Sequence, residues 1–111
     1  MPAKCEEIMT TKHKHSKLVR DKIPEIIKAQ GGAALTKELD GAEYFDALNQ
    51  KLTEEVAEYL ENYDIEELAD IVEVIYALVS HSGMSLDDFE RIRMKKHAER
   101  GGFEKKILLI N

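Results

Sequence analysis

Phe45, Leu48, Leu52, Val56, Tyr59 and Leu60 recur at about 100° per residue with polar positions between them, which predicts an amphipathic helix over residues 42–61. A broader apolar stripe, running from Leu68 through Ile71, Val72, Val74, Ile75 and Leu78 to Val79, predicts a further helix. The capping-box pattern Asp64-Ile65-Glu66-Glu67 opens it and Gly83 marks its end. Ser85 then caps a last helix that runs to about Arg100 and stops at Gly101-Gly102. Upstream, Ile23, Ile26 and Ile27 give a short helix from about Asp21 to Gln30, with Pro24 tolerated in its first turn. Residues 34–39 read as extended, and the C-terminal "KKILLI" (residues 105–110) reads by composition as a short strand. Residues 1–16 show no period and read as a flexible tail, leaving 17–111 as one domain. The expected architecture is an all-α bundle of about four helices, with that short C-terminal strand.

Acids break this pattern where the stripes should continue. Glu55 borders the apolar face of its helix and lies three residues from Glu58, while Glu54 sits a turn below Glu58. On the next helix Glu67 falls within the apolar arc, with Asp70 beside it and again three residues away. A turn of a few residues at 62–64 makes the two helices antiparallel neighbours, so the two acid pairs stand at comparable heights across one groove. A single Glu-x-x-Glu pair is ordinarily a solvated helix face, and Glu67 already has a capping role. Two pairs that border apolar faces and converge call instead for cations, because like charges brought together and dehydrated repel. All-oxygen ligation selects the hard cations Mg²⁺ or Mn²⁺, and four acids suggest two ions or a site completed by substrate phosphates.

Composition narrows the partners. The net charge of −6 argues against a surface that coats a nucleic-acid polymer. A local basic set nevertheless exists: Lys96 and Arg100 one turn apart before the two glycines, and Arg20 and Lys22 beside the first helix, all candidates for phosphate. The single cysteine, Cys5, cannot form an internal disulfide. The apolar run near Ile71–Val79 is interrupted by Glu73 and too short to cross a bilayer, and the N-terminus lacks a signal-peptide core. The expected location is cytoplasmic, with no membrane partner.

Taken together, Glu54-Glu55-x-x-Glu58 followed by Glu67-x-x-Asp70, flanked by "KLVRDKIPEII" (17–27) and "KKHAERGGFEKKI" (95–107), resembles the all-α nucleoside triphosphate pyrophosphohydrolases. The similarity is to their MazG-related, phosphoribosyl-ATP pyrophosphohydrolase-like branch, with a shorter spacer between Glu58 and Glu67 than typical MazG domains carry. The resemblance implies that Glu55, Glu58, Glu67 and Asp70 hold Mg²⁺, for which Mn²⁺ can substitute, and that Glu54 is an adjacent acid or base. It implies hydrolysis of a nucleoside triphosphate to the monophosphate and pyrophosphate without a protein nucleophile, with Lys96 or Arg100 offsetting developing charge. House-cleaning of non-standard nucleotides and phosphoribosyl-ATP-like substrates both fit it.

Two other classes compete. A carboxylate-bridged di-iron bundle needs Glu-x-x-His pairs, and none of the four histidines has a glutamate three positions before it. A non-catalytic helical dimerisation or binding module of the same fold would keep the apolar faces but has no need of the complete acid set. The apolar arc of the third helix is wider than one hairpin partner can cover in so short a chain, which predicts a homodimer or tetramer.

Overall fold

A computed structural model describes residues 16–111; the expected N-terminal tail, residues 1–16, lies almost wholly outside them. The chain is all-α. Four helices follow in order, α1 (Ile23–Ala29), α2 (Gly41–Asn62), α3 (Ile65–His81) and α4 (Leu86–Arg100), with no strand among the described residues. The C-terminal strand expected at 105–110 is therefore not formed. Its apolar composition is right for a strand, but no backbone among the described residues offers a ladder, and a strand without one has no hydrogen bonds to hold it.

α2 and α3 form the body of the molecule. They are joined by Tyr63 and Asp64 alone, and Tyr63 closes α2 in the left-handed region at φ 55° while its N–H donates to the Tyr59 carbonyl. Asp64 caps α3 through its side chain, which accepts from the Glu66 N–H at 3.1 Å. The capping box is thus only half used, and Glu67 is left to turn elsewhere. At the far end of the hairpin the His81 ring stacks on Phe45 and meets Tyr44 edge-on, with ring centroids 5.5 and 5.4 Å away. Register is continuous between these ends, so Glu55 and Glu58 stand level with Asp70 and Glu67. Leu48, Val74 and Val79 are buried between the two helices and are the fully buried apolar side chains among the described residues.

The rest is attached loosely. α1 packs on no other helix, and α4 packs on α3 but not on α2. α4 starts at a sharp corner where Gly83 takes φ 90° and the Ser85 hydroxyl accepts from the Asp88 N–H. The radius of gyration is 17.8 Å, against about 13 Å for a compact domain of 100 residues. No described helix is long and apolar enough to cross a membrane.

Candidate metal centre on the helical hairpin

Three carboxylates meet toward the turn end of the hairpin: Glu55 from α2, with Glu67 and Asp70 from α3, offer one oxygen each, all within 4.8 Å of one another. The short turn produces this, because it fixes the register that sets the pairs opposite each other. Glu58 joins as a charge next to Glu67. Three of the four acids expected to bind metal thus converge, with Glu58 near enough to act on Glu67 through its charge.

Their environment is unusual for acids. Glu55 is only 7% exposed and is the buried charged residue among those described. Its Oε1, like Oε1 of Glu67, is shielded from solvent without a hydrogen-bond partner. An orphaned carboxylate oxygen in such a place costs more than an ordinary hydrogen bond returns. The Glu67 carboxyl shows the strain, being pushed from its ordinary 4.5 up to about 7. Loss of hydration is the main cause. The charge of Glu58 follows, then the Glu55 carboxylate, to which Glu67 can donate only once it is protonated, then the charges of Glu55 and Asp70.

Two cations touch the cluster from within the chain. Lys51, one turn before the acids on α2, lies 3.2 Å from Glu55 and 2.8 Å from Glu54. Partial burial works to lower its pKa, but the hydrogen bonds to Glu54 and Glu55 outweigh this and the ammonium is held charged. Lys51 went unnoticed in the sequence, although its i, i+3 and i, i+4 spacing to Glu54 and Glu55 was a sufficient signal. The Arg20 guanidinium, expected on phosphate, donates to Asp70 Oδ1 at 2.6 Å at the solvent edge of the groove. Glu54 faces Lys51 and is not one of the three converging acids.

The other expected phosphate ligands are not gathered here. Lys96 and Arg100 lie on the exposed part of α4 without an ion pair, and Lys22 is the N-cap residue of α1, its side chain likewise unpaired among the described residues.

Against known proteins, the chain is similar to an uncharacterised protein of Mycolicibacterium smegmatis, 51% identical over 43 residues that cover 39% of this chain and 44% of the relative. The match thus spans less than half of that protein's length. No family model matches the chain, and no solved structure matches it.

Proposed function

We propose that the chain is a Mg²⁺-dependent nucleoside triphosphate pyrophosphohydrolase, of the MazG-related kind its motifs resemble, releasing a monophosphate and pyrophosphate. The observation that carries this reading is the pair of buried, unpartnered oxygens on Glu55 and Glu67, set among acids from two helices within 4.8 Å. A solvated acidic face has no reason to dehydrate two carboxylates and leave one oxygen of each without a donor. A hard divalent cation satisfies both and removes the repulsion that raises the Glu67 pKa.

Glu55, Glu67 and Asp70 would hold the ion, with Glu58 completing the set. Bound there, Mg²⁺ supplies Lewis acidity toward a polyphosphate and toward water. Lys51 fixes the rotamer of Glu55 and holds Glu54 beside the groove as acid or base. Arg20 guards the open side. Its exposed pair with Asp70 is of the kind worth about 0–1 kcal/mol, weak enough for the guanidinium to move to a phosphate oxygen. Lys96 and Arg100 act on phosphate when α4 is brought to a groove by association of two copies. The substrate range includes non-standard nucleotides and phosphoribosyl-ATP-like compounds.

A pyrophosphate-release assay over common and oxidised nucleoside triphosphates, with Mg²⁺, Mn²⁺ or chelator, tests the reading. Turnover that requires the cation and is lost in Glu67→Gln is expected. Absence of release from every substrate, with no rise in melting temperature when Mg²⁺ and a non-hydrolysable triphosphate are added, would return the chain to the class of binding modules.

A further inference from the structure

Every residue from Glu90 to Asn111 is exposed, although this limb contains a regular helix and a strongly apolar end. Phe103 is 96% exposed, and residues 107–110, Ile-Leu-Leu-Ile, are 78–84% exposed. The limb does not hang loosely. Gly101, at φ 83° and ψ −178°, takes a conformation that only glycine adopts without strain, and a turn closed by the Lys106 N–H on the Phe103 carbonyl follows it. The apolar end nevertheless stays uncovered by its own hairpin, with every residue from 101 to 111 exposed, and α4 packs on α3 but not on α2.

We propose that this limb packs on the α2–α3 hairpin of a second copy of the chain, each copy covering the other. Charge complementarity selects the occupant. Residues 41–81 carry eleven acidic side chains and one basic, whereas 91–111 carry seven basic and two acidic. Two such limbs would repel each other, but limb and hairpin attract. Shape demands agree, because the hairpin leaves Val56, Leu60, Val72 and Tyr76 exposed and its own limb does not cover them. Ile92, Met94, Phe103 and residues 107–110 offer seven large apolar side chains. At on the order of 100 Å² each, these approach the about 800 Å² per partner of a standard interface. The exchange is two-fold and closes on itself, as in most soluble homo-oligomers. It uses no feature of the metal-binding reading.

The test uses full-length chain with a photoreactive benzoylphenylalanine in place of Leu108. Light and ¹⁵N-labelled copies are diluted together, reconcentrated and irradiated, and the cross-linked peptides are weighed. Mixed-isotope peptides joining position 108 to residues 41–81 are expected. Same-isotope peptides alone, from a protein whose copies demonstrably exchange, would show the limb folding on its own chain and overturn the proposal. In sedimentation equilibrium, Leu108→Glu with Ile110→Glu should raise the dimer dissociation constant at least tenfold at unchanged helical circular dichroism. An unchanged dissociation constant, or a wild-type chain that sediments only as a 12.7 kDa species at micromolar concentration, would equally overturn it.

Discussion

The α2–α3 hairpin and the C-terminal limb are both built on sizeable helices, of 22 and 17 residues in one case and 15 in the other, yet only the hairpin buries anything completely. In the hairpin two amphipathic faces are pressed together by a two-residue turn, and their stripes supply the stability. In the limb, α4 is held by local devices: its Ser85 cap and the same-helix pairs Arg91–Asp88 and Arg93–Glu90. The latter pair holds the Glu90 carboxyl below, and the Arg93 guanidinium above, their ordinary ranges. Such pairs contribute about 0.2–0.5 kcal/mol each, and an isolated helix of this length is marginal in water. The difference teaches that the hairpin buries part of its apolar surface within the chain, whereas the apolar side chains of the limb stay exposed there.

The largest effect that sharpens this contrast is expected in the acids. Glu55→Gln or Asp70→Asn should lower kcat for pyrophosphate release at least ~100-fold at saturating Mg²⁺, on the scale of losing a transition-state charge stabiliser. Steady-state assays that find either variant near wild-type turnover would remove the metal assignment. Next comes packing. Leu48→Ala in the hairpin should cost about 2–4 kcal/mol in denaturant unfolding, and Ile92→Ala in the limb less than about 1 kcal/mol wherever the protein is dilute enough to be monomeric. Equal costs at both positions would erase the contrast.

A smaller effect is expected from the limb's free cations. Lys96→Ala and Arg100→Ala should each raise KM or lower kcat about tenfold, with Lys95→Ala as the local control. Unchanged constants in both variants would leave these residues to the helix C-terminus. The smallest effect is pH-dependent. With chelator present, Glu67 titrates near 7 in the folded chain and near its ordinary value when unfolded. Between those values the folded state binds more protons, so stability should fall as pH rises from about 4.5 to about 7. Melting curves should show a falling melting temperature over that interval. Glu67→Gln should flatten it, and Mg²⁺ should reverse it at pH 7.5; a melting temperature that climbs with pH in the metal-free wild type would contradict the cluster's electrostatics.

Much of this was legible in the sequence because it is local. Helical period, the Asp64 and Ser85 caps and the glycines after α3 and α4 place the helices, and a short turn then brings Glu55, Glu58, Glu67 and Asp70 together without tertiary information. Failures came where a residue's fate depends on something distant. Arg20 reaches Asp70 from fifty residues away, and nothing in its neighbourhood announces that partner. Residues 107–110 have the composition of a strand, but composition does not report whether another backbone lies alongside. Glu67 was read as half of a capping box, whereas the Asp64 side chain takes the Glu66 N–H and the groove claims Glu67.

The two-residue turn also bears on the order of events during synthesis. Contacts between α2 and α3 join residues close in sequence, so closing them costs little chain entropy and is fast. We expect the hairpin to assemble once residue 81 has left the ribosome, before the seven basic residues of the limb have emerged. The acids would then be gathered in a nascent chain in which, among the described residues, Lys51 and Arg20 pair with them. Pulse-labelled hydrogen exchange on refolding protein should find α2 and α3 amides protected before those of α4. Simultaneous protection would mean that the limb helps to build the hairpin, and that the acid groove forms only alongside its counter-charges.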